Sequence, residues 1–325
     1  MYLVTGGAGF IGSHLVAALA ARGAEVMVID RLGHGGKWRN LAVPTLAGLL
    51  PWEELEGYLA SHPPISAVLH MGAISATTET DGDLVAATNL TLPLRLWSWC
   101  AQRGVPFIYA SSAATYGDGA QGFEDDATPE GLARLRPLNL YGWSKLAFDK
   151  RVAQMLALGA APPPQWAGLR FFNVYGPNEA HKGRMASVLF HKYRQVMRGE
   201  AATLFRSDRP DIADGEQRRD FVHVDDCVAV MLWLLENPRV SGLFNVGSGR
   251  ARSFLALVRA MFAALDRPED IAFIDMPEDL KGKYQYFTEA PLGRLRAAGY
   301  TGQMIPLEEG VRRTVAAYRG MDLDA

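Results

Sequence analysis

Two cysteines in 325 residues, Cys100 and Cys227, cannot make a disulfide framework, and neither stands at metal-ligand spacing. Both fall in apolar helical patterns, so buried, reduced thiols are expected. No apolar run approaches the ~20 residues that cross a bilayer, so no membrane association is expected. The opening "MYLVTGGAGF" runs straight into a strand and a glycine turn, without a basic stretch or cleavage site, and points to the cytoplasm. A formal net charge of -2 supplies no basic field for nucleic acid. Internal repeats are absent. Lysine is scarce, at seven against twenty-six arginines, so the position of each lysine carries information. These absences leave a globular protein with a small-molecule ligand, long enough for one large domain and a smaller one.

The N-terminal half alternates short apolar runs with longer helical patterns: "YLVT", "IGSHLVAALAARG", "EVMVID", "ISAVLH", "DLVAATNLTLPLRLWSWCAQRG", "PFIYAS" and "WAGLRFFN". Apolar runs unbroken by polar residues describe parallel strands buried on both faces and joined by crossover helices. The expected fold is α/β, a doubly wound parallel sheet of Rossmann type, with a second, smaller, discontinuous α/β substrate domain. Residues 1–173 and 220–249 are assigned to the dinucleotide-binding domain, and 174–219 and 250–325 to the substrate domain. "APPPQ" at 161–165 reads as a stiff connector, and "SDRPDIADGEQ" at 207–217 as a mobile surface loop.

"TGGAGFIG" places Gly6, Gly9 and Gly12 directly after the first strand and at the head of the first helix. Glycines there let the backbone turn tightly and approach a pyrophosphate, which the helix N-terminus then meets with its N–H groups. The second strand ends at Asp30, where a carboxylate accepts ribose hydroxyls and favours NAD. Arg31 follows at once, with Lys37 and Arg39 shortly after, and these cations suit a 2′-phosphate. NADP is therefore the preferred cofactor, with NAD the alternative.

"YASSAATYG" ends a strand with Ser111 and Ser112, and "YGWSK" then opens a helix with Tyr141 and Lys145. Four residues apart, the last two share one helix face. A phenol has an ordinary pKa of about 10, and a neighbouring ammonium together with a positive nicotinamide ring favours its phenolate. A serine hydroxyl can then orient the substrate alcohol.

These motifs resemble the extended short-chain dehydrogenase/reductases, and more narrowly their ADP-heptose 6-epimerase branch. The resemblance runs over nearly the whole chain, through "GAISATTETDGD", "YASSAATYG", "RFFNVYGPNEAHKGRMAS", "RRDFVHVDD", "FNVGSGRARSF" and "LKGKYQYFTEAPLGRLRAAGY". It implies an NADP-dependent isomerase that inverts C6″ of an ADP-heptose for lipopolysaccharide core assembly, acting as a homo-oligomer. Cofactor contacts are implied at Phe10, Ile11, Asp30, Arg31, Lys37, Met71, Gly72, Ala73, Ile74 and Ser75, and at Asn89, Lys145, Val174 and Lys182. Acid/base roles are implied for Tyr141 and Lys182. Substrate contacts are implied at Ser75, Asn173, His191, Phe205, Arg206, Ser207, Asp208, Arg219 and Tyr284. The chain departs from the pattern at Trp52, where the family can place a lysine near the adenosine phosphate. It departs again at Arg184, where the family has a substrate-contacting serine, and in the longer 207–217 segment.

Lys182, in "NEAHKGRMAS", has a chemical reading of its own. One bound nicotinamide delivers hydride from one fixed direction, so inversion requires the oxidised carbon to present its other face. C6″ lies outside the sugar ring, and rotation about C5″–C6″ achieves this while the nucleotide stays anchored. The carbonyl oxygen then points elsewhere and needs a second acid/base. Lysine can serve there, whereas arginine does not deprotonate in proteins; phosphate binding is the alternative role. Among rival activities, a dehydratase would want acidic groups after Ser112, where Ala113 and Ala114 stand. A UDP-hexose 4-epimerase would flip the whole ring without an obligatory second base. A non-catalytic NADP-binding regulator would have no use for Ser112, Tyr141 and Lys145 together.

Overall fold

The computed structural model describes residues 1–277 and 285–321, so Tyr284 lies outside the described residues. Its centre is a parallel sheet of seven strands: β1 (Tyr2–Thr5), β2 (Val26–Ile29), β3 (Gly48–Leu50), β4 (Ala67–His70), β5 (Phe107–Ser112), β6 (Trp166–Phe171) and, later in the chain, Gly242–Val246. From β1 the chain builds outward through β2 to β3, then returns and builds the other way through β4, β5 and β6 to Gly242–Val246. That reversal leaves a crevice beyond the C-terminal ends of β1 and β4, where a doubly wound fold places its ligand. The strands are apolar on both faces because helices cover both. Phe10–Ala21 and Val224–Glu236 pack with Val4, Val28, Leu69 and Leu169 on one side. On the other, Leu92–Arg103 and Leu140–Ala157 pack with Leu3, Val68 and Phe107.

The remaining strands are β7 (Asn173–Tyr175), β8 (Ala202–Phe205), β9 (Arg218–His223), β11 (Ala251–Ser253) and β12 (Ile271–Ile274), with Gly242–Val246 standing as β10. They form two small sheets, β11-β9-β7 and β12-β8, none of which the periodicity of the C-terminal half exposed. A second apolar cluster gathers Leu189, Phe190 and Tyr193 with Leu257, Met261, Val311 and Tyr318 from three helices. Two of those helices start where a serine side chain caps them, while Leu307–Tyr318 starts at Pro306 without a side-chain cap. Ser187 accepts from the Phe190 amide, and Ser253 from the Ala256 amide.

The 207–217 segment folds back on itself: Asp214 accepts from the Ser207 amide at 2.8 Å, and Ser207 and Arg209 exchange two further bonds. No helix among the described residues is long and apolar enough to cross a membrane. Both cysteines are buried and unpaired, with burial raising their thiols, as their apolar surroundings suggested.

One buried carboxylate ties β9 to the turn after β10 and to Ala290. Asp220, fully buried on β9, accepts from the amides of Ser248 (2.6 Å), Gly249 (3.0 Å) and Ala290 (2.9 Å) and from the Ser248 hydroxyl. Asp220→Ala would leave three backbone donors unmet, and is expected to lower stability by about 3 kcal/mol in urea unfolding. Asp220→Asn, which keeps one acceptor, should lose less. An alanine variant within about 1 kcal/mol of the parent would show that these backbone donors find other partners without it.

Candidate active site

The glycine turn after β1 cannot carry side chains. A Cβ on Gly6, whose φ is +68°, would lie 2.5 Å from the Gly72 backbone, and one on Gly12 would lie 2.1 Å from the Gly6 carbonyl oxygen. Helix Phe10–Ala21 therefore starts hard against the turn, and its N-cap, Gly9, offers no side chain to satisfy the first amides. Those amides are the donors an anionic group would meet.

Asp30, at the end of β2, accepts from the Ala8 amide at 2.8 Å and so holds the turn from below. Its other oxygen receives the Lys37 ammonium at 2.5 Å. Arg31 turns away: its guanidinium pairs with Glu53 and lies 4.6 Å over the Trp52 ring. Arg39 lies over Trp38. The cations counted in the sequence are thus already engaged in carboxylates or rings.

A cleft of about 470 Å³ opens above the turn. It is lined by Gly6, Gly9, Phe10, Ile11, Gly12, Asp30 and Lys37, by the Met71–Ser75 strand end, and by Ser112, Tyr141, Lys145, Val174 and Lys182. A larger hollow beside residues 43–47 has Glu25 as its only charged lining residue and offers no chemistry.

Asn139 caps helix Leu140–Ala157 by accepting from the Gly142 amide, which sets Tyr141 and Lys145 on the cleft side. Lys145 is 4% exposed and donates to the Ala110 carbonyl at 2.8 Å. Burial lowers its pKa to about 8, with the Asp149 charge opposing. Burial pushes the Tyr141 phenol up and the hydrogen bond with Ser112 opposes, while the Lys145 ammonium donates to Ala110.

Lys182 comes from the short 3₁₀ turn Ala180–Met185, and its ammonium stands 5.3 Å over the Phe10 ring. Burial lowers its proton affinity and Glu179 opposes this. Asn40 ties the turn to the cofactor side, donating to the carbonyls of Ala8 (3.0 Å) and Asn178 (3.1 Å) and facing His181 Nδ1.

Asn89 lies outside the cleft lining. It sits on a π-helical turn, fully buried, and its amide bonds Ile74 on both backbone groups and Ser144 Oγ at 3.0 Å. Its part is to hold the wall.

Apart from Ser75, the described residues implied for substrate contact lie outside the cleft lining, and several are joined by hydrogen bonds. Thr288 donates to Asn173 and bonds the backbones of Arg218 and Asp220, while Gln217 reaches the carbonyls of Phe205 and Arg206. The Asp208 amide donates to the Tyr286 hydroxyl. Arg206 faces Asp214 and Asp275, and Arg219 lies over Phe254. His191 is held beside the Arg184 and Ala186 carbonyls, and Arg184 itself is exposed.

Several contributors escaped the sequence reading: Asn40, Glu179, Thr288, and the fully buried pair Asp149–Arg170, which also engages Ser111 and Tyr109. Only Asp149 and Glu179 had a visible signal, as acids four residues after Lys145 and three before Lys182. Among the described residues no cluster of His, Cys, Asp or Glu is fit to hold a metal.

Residues 2–247 match the NAD dependent epimerase/dehydratase family. The ADP-L-glycero-D-manno-heptose-6-epimerase of Nitratidesulfovibrio vulgaris is 48% identical over 98% of both chains. Its counterpart in Fusobacterium nucleatum is 46% identical with the same coverage. Among solved structures, the Helicobacter pylori enzyme of that name superposes with a TM-score of 0.80 at 26% identity, over 98% of this chain and 96% of that one. UDP-glucose 4-epimerase from Thermus thermophilus, in complex with NAD, gives 0.77 at 30% identity, over 98% and 99%.

The depressed Lys145 fixes the sign of a pH effect. Below about pH 8 the folded protein bears the full cost of a buried ammonium. Between there and the ordinary lysine value near 10.4 the unfolded chain holds a proton that the folded chain has lost, so this group's contribution to stability rises with pH. Lys145→Met should therefore unfold at higher denaturant than the parent at pH 7, with the difference shrinking toward pH 10. A difference independent of pH would refute the assignment.

Proposed function

The chain belongs to the NAD dependent epimerase/dehydratase family, and from that premise we propose that it interconverts ADP-D-glycero-D-manno-heptose and ADP-L-glycero-D-manno-heptose by inverting C6″. The observation that carries this reading is that Tyr141 and Lys182, from different elements, line one cleft whose floor is the glycine turn. A nicotinamide dinucleotide fits that floor, because the cradle at Gly6 and Gly12 admits no side chain and the first helical amides have no cap. When bound, it supplies a reversible hydride acceptor.

In this reading the side chains move the protons. One of Tyr141 and Lys182 takes the proton from the C6″ hydroxyl as its hydride leaves. The tail turns about C5″–C6″, and the other group protonates the oxygen as hydride returns to the opposite face. Ser112, beside the phenol, orients the oxygen, and Lys145 places its charge under the Tyr141 side of the cleft. The ADP end stays anchored, with Asn173, Arg206, Ser207, Asp208 and Arg219 as the proposed holding ribbon. We draw the substrate domain as 174–219 and 250–325, around the second apolar cluster, and take the protein to be a cytoplasmic homo-oligomer as its resemblance implies.

For the cofactor, the ion pairs favour NAD over the NADP suggested by counting cations. A 2′-phosphate would have to draw Arg31 from Glu53 and Lys37 from Asp30, and would meet the Asp30 carboxylate itself. A ribose 2′-hydroxyl donates to that carboxylate directly. Protein stripped of cofactor should regain activity with NAD at least tenfold better than with NADP. Glu53→Gln, which frees Arg31, should narrow that ratio. A parent preference for NADP would overturn this assignment.

The activity is tested by following the C6″ proton by NMR from each pure epimer. Tyr141→Phe and Lys182→Ala are each expected to slow interconversion by roughly 10²-fold or more. Each should still reduce bound nicotinamide with one epimer only. Full interconversion by Lys182→Ala, or turnover of UDP-glucose in place of ADP-heptose, would favour a 4-epimerase.

A further inference from the structure

Resting on the reading of Lys182 as the second acid/base, we propose that Glu179 is its positioning residue: its buried carboxylate closes the loop that carries Lys182 and sets a negative charge in the same turn as that ammonium. Glu179 is 1% exposed, at the head of the 3₁₀ turn, and its carbonyl accepts from the Lys182 amide at 3.0 Å. Its side chain reaches across the loop to Ser187, eight residues on. It accepts from the Ser187 amide at 2.5 Å and from the Ser187 hydroxyl at 2.6 Å. A third donor comes from the far end of the chain, the Tyr318 hydroxyl at 2.8 Å.

The loop between these anchors holds only the short 3₁₀ turn Ala180–Met185. The backbone kinks at Gly183, with φ +52° and open space where a side chain would sit. One carboxylate therefore ties Lys182's loop to the starts and ends of two packed helices, Val188–Met197 and Leu307–Tyr318. Charge is the second part of the argument. Burial raises the pKa of the Glu179 carboxyl, and the three donors together with the Lys182 charge oppose this by stabilising its anion. Lys182, in the same turn and largely desolvated, gains proton affinity from that anion. A buried lysine without a partner charge would tend to stay neutral, and would then serve as a base but not as an acid. Reversible catalysis needs both forms.

The test is the pH profile of interconversion, run from each epimer, for the parent, Glu179→Gln and Lys182→Ala, with thermal melting and retained cofactor as folding controls. Removing the charge lowers Lys182's proton affinity, so the limb that depends on Lys182 should move to lower pH by about one unit. A folded Glu179→Gln with reduced kcat and an unmoved limb overturns the inference, because a purely structural role lowers kcat alone. Should the glutamine variant fail to fold, Glu179→Asp decides. It keeps the charge but draws it back by one methylene, so a limb moved to lower pH supports positioning, and an unmoved limb, whatever the kcat, overturns it. Interconversion by Lys182→Ala at the parental rate removes the second-base reading itself and this inference with it. Loss of activity there, with an unmoved glutamine limb, removes this inference alone.

Discussion

The close approach of two backbones, Gly6 after β1 and Gly72 after β4, is the constraint on which the rest of the molecule depends. Only bare backbone fits there, since a methyl group on Gly6 would meet Gly72 at 2.5 Å. Because the strand order reverses between β1 and β4, the same contact lies at the mouth of the crevice. It brings the uncapped start of helix Phe10–Ala21, the Asp30 carboxylate and the Met71–Ser75 strand end to one edge. Asp30 then holds the turn through Ala8, and Asn40 extends the hold to the loop that carries Lys182. The cofactor floor and the proposed second base are thus parts of one hydrogen-bonded assembly.

How far this was legible depended on the range of the interactions involved. The sheet, the glycine turn and the Tyr141–Lys145 face are written in local periods of two and three to four residues, and strands buried on both faces give continuous apolar runs. The small sheets β11-β9-β7 and β12-β8 are not local. Their strands are three to six residues long, and β7 pairs with β9 across more than forty residues of chain. Nothing in "ATLF" or "IAFI" announces its partner.

The same limit applies at the site. Cations after β2 were visible, but their commitment was not. Arg31 is taken by Glu53, twenty-two residues away, which a count of charges does not show. Asn89 was visible only as a residue type matched by resemblance. Its two donors and its acceptor turn out to be engaged by Ile74 and Ser144.

The two buried lysines differ in a way that bears on the chemistry. Each has a carboxylate close in sequence, Asp149 for Lys145 and Glu179 for Lys182. Asp149 also pairs with the fully buried Arg170 guanidinium at 3.1 Å, so its charge is divided between two cations. Glu179 is met instead by a neutral amide and two hydroxyls, and the cation that acts on it is Lys182. A shared carboxylate does less to hold a proton on its lysine than an undivided one. Lys145, at about 8, remains mostly charged near neutrality without needing to exchange its proton, which suits a fixed electrostatic role. The undivided partner belongs to the lysine proposed to hold a proton and then release it, which is the demand that inversion makes and a simple oxidation does not.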